Sequence, residues 1–336
     1  MSNYTLSRFL YFFFTFIAQT NYYKLIVGVV RTIGLLKSNY STGIDHFNFS
    51  NFYDKFSRYL RPVSPSGGLG NETTIPSTRF LSWFIGFTEG EGSFIVNNRG
   101  DLCFVITQSN TDIKILHFIK ETLGFGKVIP QSANVSRFVT QNKREIEIIV
   151  HLFNGNIILP SRKTIFDHFV QGFNTWVSKG RIKLNTVEVK HRDLLPSLKD
   201  NWLAGFTDAE GCFTCSIGRD SAKGFSFNFN ISQKWGASRP VSPSGGLGNE
   251  IYILEHLCVL FKQVLYLTYC RYCNEYGEYK IVKIYPLLGI IIHYTQKNWF
   301  SYKLWKEIHK ELLKKNHLDP IKRVEMIEKS RLINKF

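Results

Sequence analysis

Acidic side chains are scarce in this chain. It carries 26 Asp and Glu against 42 Lys and Arg, and its first 44 residues contain no acid at all. The formal charge of +16 sets up an extended positive field, which suits a nucleic acid or an anionic membrane surface without choosing between them. Cysteine is sparse too. Cys103, Cys212, Cys215, Cys258, Cys270 and Cys273 are too few to staple 336 residues, which excludes a disulfide scaffold and points to a reducing compartment. Cys212 with Cys215 and Cys270 with Cys273 have the CxxC spacing of a zinc site. Both stretches read as strands, and no His or further Cys pair completes a four-ligand set, so zinc is set aside. Long hydrophobic runs are also missing: Phe9 to Ala18 is about half a membrane span and is interrupted by the polar stretch Gln19 to Lys24. The acid-free start is too aromatic for an ordinary transit peptide.

What is abundant is Phe (29) and Tyr (16), with Ile, Asn and Lys, residues served by A/T-rich codons and typical of an A/T-rich organelle genome. Against that background RPVSPSGGLGNE occurs twice unchanged, at 61–72 and 239–250. Two perfect copies of a Pro/Gly-rich string read as inserted sequence and as flexible loops, because Pro and Gly deny them periodic structure.

A second repetition is imperfect. WFIGFTEGEGSF at 83–94 returns as WLAGFTDAEGCF at 202–213. Around the first copy, Ser77 or Thr78 offers an N-cap, and Leu81, Phe84, Ile85 and Thr88 fall on one helical face. Two strands (SFIVNN, LCFVITQ), a helix (DIKILHFIKETLG), two strands (GKVIPQ, SRFVTQ) and helices (REIEIIVHLFNG, SRKTIFDHFVQGFNTW) follow. After the second copy, with Asp200 as cap, the order recurs through CFTCSI, FSFNFNISQ, IYILEHLCVLFKQVL, LTYCRY, YKIVKIY and SYKLWKEIHKELLKK. The pattern is an α+β fold of two pseudo-symmetric αββαββα halves. Residues 1–76 read as a poorly ordered extension, 77–180 as the first half, 181–197 as a solvent-exposed linker, and 198–336 as the second half with the 239–250 insert.

Gly86 and Gly90 lie four apart on one helical face, as do Gly205 and Ala209. Such spacing lets two helix backbones approach almost to contact, so the two copies are expected to pack as a seam. That brings Glu91 and Glu210 together at its end, before Gly92 and Gly211, which are expected to end the helices in the left-handed conformation. Two carboxylates at two helix C-termini repel the local dipoles and each other. The arrangement makes sense with two or more divalent cations between them, about 4 Å apart as in two-metal phosphoryl transfer.

FIGFTEGEG and LAGFTDAEG resemble the LAGLIDADG homing endonuclease family in its double-motif form, over roughly 77–336; LGFGKV, FNGNIILPSRK and YKLWKEIHKELL look like the subgroup encoded in fungal mitochondrial introns. The resemblance implies a saddle-shaped sheet on double-stranded DNA, a monomer, a mitochondrial location, and Mg²⁺-dependent cutting of a long asymmetric site that promotes intron mobility. A maturase assisting splicing of intron RNA, or a degenerate relative that binds DNA without cutting, are the alternatives. It makes Glu91 and Glu210 metal ligands together with the carbonyls of Gly90 and Ala209, leaves Glu89 and Asp208 to support the seam, and makes Gln108 and Gln233 pocket residues. Lys127, and less directly Arg271, would supply positive charge at the scissile phosphate. Asn97, Asn98, Arg99, Arg137, Thr140, Gln141, Arg219, Lys223, Asn228 and Asn230 become candidate DNA contacts. One stretch departs from the family: after Pro286, where relatives place lysines, the chain reads LLGIIIHYTQKNWF.

Overall fold

A computed structural model describes residues 46–60, 75–180, 183–218, 224–234, 251–260, 276–281 and 299–334. The elements are α1 (Ser50–Leu60), α2 (Thr78–Glu91), β1 (Gly92–Val96), β2 (Leu102–Ser109), α3 (Ile113–Leu123), β3 (Lys127–Ser132), β4 (Val135–Thr140), α4 (Lys143–Phe153) and α5 (Pro160–Ser178). They continue as α6 (Trp202–Glu210), β5 (Gly211–Ile217), β6 (Phe225–Lys234), α7 (Ile251–Leu260), β7 (Tyr276–Ile281), α8 (Trp299–Leu313) and α9 (Pro320–Arg331). The Ser77 hydroxyl caps α2 by accepting from Phe80 N–H, and Asp200 Oδ1 accepts from Trp202 N–H at 2.9 Å at the start of α6.

Each motif helix runs straight into the first strand of an antiparallel sheet. The first sheet has the order β1-β2-β4-β3 and the second β5-β6-β7. Gly92 faces Ile106, which faces Phe138; in the other half Gly211 faces Ile231, which faces Tyr279. The two registers superimpose position by position, so Gln108 corresponds to Gln233. Strand alternation then sorts the side chains. Phe94, Phe104, Ile106 and Phe138 point to the buried side and pack with Phe153, Phe166 and Phe169 from α4 and α5. Ser93, Ile95, Cys103, Thr107 and Arg137 lie on the opposite, half-open face.

Three expectations change. Residues 46–60 are not an irregular extension: α1 buries Phe52 and Phe56 completely and Lys55 pairs with Glu147 of α4 at 2.9 Å. Asn156, fully buried, donates to Asn48 O and accepts from Asn48 N–H, a tie between residues too distant in sequence for local pattern to reveal. The linker is not a free crossing either. Asn174 brackets Val187, donating to its carbonyl and accepting from its N–H at 2.8 Å each. Asn154 does the same for Glu188 O and Lys190 N–H. A side-chain amide carries both a donor and an acceptor, so each Asn replaces one rung of a ladder. Finally, α9 follows the helix expected to be last, capped by Asp319 through Ile321 and Lys322 N–H.

The two RPVSPSGGLGNE copies, the LTYCRY strand, Arg271, and the departure after Pro286 as far as residue 298 lie outside the described residues.

Candidate active site at the helix seam

Helices α2 and α6 meet backbone to backbone. A Cβ on Gly86 would lie 2.0 Å from Trp202 O, and one on Gly205 would lie 1.9 Å from Trp83 O. Only glycine permits this approach from both sides. One turn further along, a Cβ on Gly90 would meet Ala209 Cβ at 2.3 Å, so the pair that ends the seam is one glycine and one alanine. The same hypothetical Cβ would sit 3.1 Å from Glu210 Cγ and 3.4 Å from Glu210 Oε1. The Glu210 side chain thus lies over Gly90, the residue before Glu91 in the chain, and both glutamates are half-buried.

Gly92 and Gly211 have extended backbones, φ −84° and −80°, not the left-handed conformation expected of them. Their requirement for glycine is steric. A Cβ at Gly92 would lie 2.4 Å from Thr88 Cγ2, and one at Gly211 would lie 2.6 Å from Thr207 O. The chain passes directly from helix to strand, so the strand leaves against the last helical turn.

The other acid of each motif is buried and crosses the seam. Asp208, 1% exposed, accepts from Trp83 Nε1 at 2.9 Å. Glu89, 2% exposed, accepts from Trp202 Nε1 at 2.7 Å and from Leu159 and Ile158 N–H at 2.6 and 3.0 Å. Burial pushes its carboxyl up to about 7, against the opposing pull of the Leu159, Ile158 and Trp202 donors and of the Arg162 charge. Glu89 therefore ties the seam to the first turn of α5. From that turn Arg162 donates to Gly90 O at 2.9 Å and to Gly92 O at 3.2 Å, placing a cation against the terminal carbonyls of α2 beside Glu91. Sequence reasoning missed Arg162; its signal was the basic pair in LPSRK at a helix start.

The remaining candidates divide. Gln108 is 5% exposed and on the helix side of β2, opposite Ser136; Gln233 holds the equivalent register opposite Gly277. Lys127 begins the edge strand β3, in the row Ser93–Val105–Val139–Lys127. Three strand spacings put its Cα roughly 14 Å from Ser93 across the sheet, and it is exposed on the same half-open face as Arg137.

Among the candidate DNA contacts, Thr140 is a correction: it is 3% exposed, faces the core, and its hydroxyl donates to Glu145. Asn97 is exposed, and its Oδ1 accepts from Arg99 and Asp101 N–H, which staples the hairpin turn. Asn228 lies on the polar face of β6 but donates to Ser226 and Thr214 hydroxyls. Asn98, Arg99 and Gln141 are exposed, and Arg137 and Asn230 are half-buried on the helix-free side of their sheets. Arg219 and Lys223 lie outside the described residues.

Among the described residues no three His, Cys, Asp or Glu side chains gather to hold a metal. Cys212 and Cys215 point to opposite faces of β5 by strand alternation, and burial pushes the Cys215 thiol up to about 12. At the end of the seam the donors are two carboxylates, Glu91 and Glu210, and the carbonyls of Ala209 and of Gly90, one lone pair of which already accepts from Arg162. An all-oxygen set with few protein ligands fits Mg²⁺ or Ca²⁺, which keep waters and take further oxygens from a phosphate substrate, and does not fit a softer metal.

Comparison with known proteins agrees with this geometry. The family model described as LAGLIDADG endonuclease matches residues 84–172 and 203–309. The probable intron-encoded endonuclease 4 of Neurospora crassa is 33% identical over 267 residues, which cover 76% of this chain and 44% of that protein. The chain spans about half the length of the curated relatives it matches. The meganuclease I-SmaMI bound to uncleaveable DNA has a TM-score of 0.58 at 18% identity, covering 78% of this chain and 99% of that one. I-SmaMI bound to uncleaved DNA in the presence of calcium ions gives 0.55 at 16%, covering 76% and 99%.

Proposed function

The chain belongs to the LAGLIDADG endonuclease family, and on that premise we propose that it is a site-specific endonuclease that cuts both strands of a long, asymmetric DNA duplex. Its origin would be a mitochondrial intron, and one chain would suffice because both motifs are present in it. The observation that supports the reading is that the two motif helices touch at Gly90 and Ala209, with the Glu210 side chain over Gly90, the residue before Glu91. A buried-helix seam alone gives no reason to hold two carboxylates together at two helix C-termini.

In this reading Glu91, Glu210 and the Gly90 and Ala209 carbonyls would hold Mg²⁺, which when bound supplies Lewis-acid charge at the phosphodiester and lowers the pKa of water. The protein's own part is positional. The seam sets the spacing of the two acids, and Glu89 and Asp208, spent on indoles and backbone, keep it rigid. Arg162 offsets the carbonyl charge behind Glu91. The sheets present their half-open faces to the duplex, with Arg99, Lys127 and Arg137 supplying cations in the first half.

The test is a cleavage assay with Mg²⁺ on a plasmid carrying the intronless host gene, with Glu91→Gln and Glu210→Gln as controls. One double-strand break, lost in both variants while DNA binding persists, is the expected result. Parallel loss of binding and cutting would make the acids structural. Tight, selective binding of the intron RNA without DNA cleavage would replace this reading by splicing assistance.

A further inference from the structure

Arg137 stands in the middle of β4, an inner strand of the first sheet. Its neighbours across the ladder are Thr107 and Ile129, and along its own face of β4 lie Val135 and Val139. None of these is an acid. No ion pair among the described residues holds its guanidinium, and its Nε is buried without a hydrogen-bond partner. A cation placed on a half-open sheet face, with a second cation, Lys127, on the same face and no carboxylate opposite it, is set for an acceptor that the chain itself does not supply.

The ladder also fixes where that acceptor is. The pair Thr107–Arg137 is adjacent to the pair Ile106–Phe138, which lies level with Gly92, the residue after Glu91. Arg137 is therefore close to the end of the seam and far from the hairpin tip at Asn98 and Arg99. Around it on this face Val139 and Ile129 make no hydrogen bonds through their side chains, though they can touch a thymine methyl, while Thr107 and Lys127 are the polar neighbours. A duplex lying on this face would meet one side chain able to donate two parallel hydrogen bonds.

The second half does not repeat the arrangement. There the pair Ile231–Tyr279 lies level with Gly211, and the next pair is Ser232–Glu278. The position equivalent to Arg137 is held by a glutamate. Arginine donates to guanine O6 and N7, whereas a carboxylate has nothing to donate to them.

We infer that Arg137 is a specificity-determining residue that reads one guanine in the inner part of its half-site, close to the cut, and that this guanine has no mirror-image counterpart in the other half-site. The inference rests on the DNA-cleaving reading above and adds to it a base, a position and an asymmetry.

The experiment is selection of bound duplexes from a randomised DNA library by the full chain, without added divalent metal so that bound duplexes stay intact. Wild type, Arg137→Ala and Arg137→Lys are compared, with thermal melts to show that each is folded. The expected wild-type consensus fixes a single inner guanine in one half only. Both variants lose that fixation and keep the other positions, the lysine variant because a point charge lacks the guanidinium fork. On individual duplexes, changing that G·C pair weakens wild-type binding roughly 5- to 150-fold, the equivalent of one bidentate contact, and leaves the alanine variant nearly unaffected. An unchanged consensus in the variants overturns the inference and leaves the DNA reading standing. Uniform weakening across all duplexes, with a shallower salt dependence, also overturns it by making Arg137 a phosphate contact. Failure of wild type to enrich any consensus removes the DNA-binding premise itself.

Discussion

Trp83 donates to Asp208 across the seam at 2.9 Å, and Trp202 returns the bond to Glu89 at 2.7 Å. The first residue of each motif thus serves the penultimate acid of the other. This reciprocity explains why each copy carries two acids in different environments. One is sealed by an indole and holds the helices together; the other sits in the half-open groove at the end of the helix.

Removal of one indole N–H tests that division. Trp83→Phe and Trp202→Phe keep the aromatic stacking on Phe87 and Phe206 but withdraw a donor from a buried carboxylate, at a cost of about 1–3 kcal/mol. Trp202→Phe should fall at the low end, since Glu89 keeps the Leu159 and Ile158 N–H groups. Urea denaturation of the two variants gives the numbers. Unchanged midpoints in both would mean that the indoles merely fill space.

Much of this was legible in the chain because it is local. The Ser77 cap, the motif helices with Gly86 and Gly205, and the period-two strands all depend on residues within a turn or a ladder step. The Gln108 and Gln233 equivalence also follows once the strands are aligned. What stayed hidden depends on partners far away in sequence. Asn156 finds Asn48, and Asn174 finds Val187 on a segment that composition alone marks as exposed. Thr140 looks like a solvent-facing strand residue until the register turns it toward Glu145. Gly92 was legible as an obligatory glycine for the wrong reason, since crowding against Thr88, rather than a positive φ, demands it.

The seam glycines should be intolerant in a way that other glycines are not. Alanine at Gly86 or Gly205 would need Cβ at about the van der Waals radius of one atom from a backbone oxygen on the facing helix, with no flexible side chain to yield. Either variant is expected to lose more than about 4 kcal/mol or to fail to accumulate in soluble form. Gly100 is the control: φ is +78° and nothing lies within 4 Å of an added Cβ, so Gly100→Ala should cost only about 1–2 kcal/mol of backbone strain. Equal losses at all three positions would argue against close helix contact.

The tie between the α1 segment and the α4–α5 turn predicts a local effect. Asn156→Asp is isosteric but replaces two donors, which serve Asn48 O and Leu152 O, with an oxygen facing two carbonyls. Each stranded partner costs roughly 1–3 kcal/mol, and the loss should appear first as faster proteolysis around residues 46–60 at temperatures where the remainder is still folded. Cleavage rates equal to wild type there would mean that Phe52 and Phe56 alone hold the helix.

Glu89 makes the stability of the seam depend on pH. Its carboxyl is raised from 4.5 to about 7 in the folded protein, chiefly by burial, so between those values the folded state holds the proton more tightly than the unfolded chain does. The stability this contributes is complete below about pH 4.5 and is lost as pH rises through 7. The loss runs at about 1.4 kcal/mol for each pH step of one between those bounds, or about 3 kcal/mol in all. Other groups titrate over the same range, so the quantity to measure is the difference between wild type and Glu89→Gln, which cannot titrate. The amide would turn its NH₂ toward the Leu159 or Trp202 donors and lower stability at every pH, but that offset carries no slope. The wild-type advantage over Glu89→Gln is therefore expected to shrink steadily from pH 4.5 to 7 and to stay constant above it. A difference independent of pH across that interval would mean that the Leu159, Ile158 and Trp202 donors and Arg162 hold Glu89 ionised throughout, and that its burial is fully compensated.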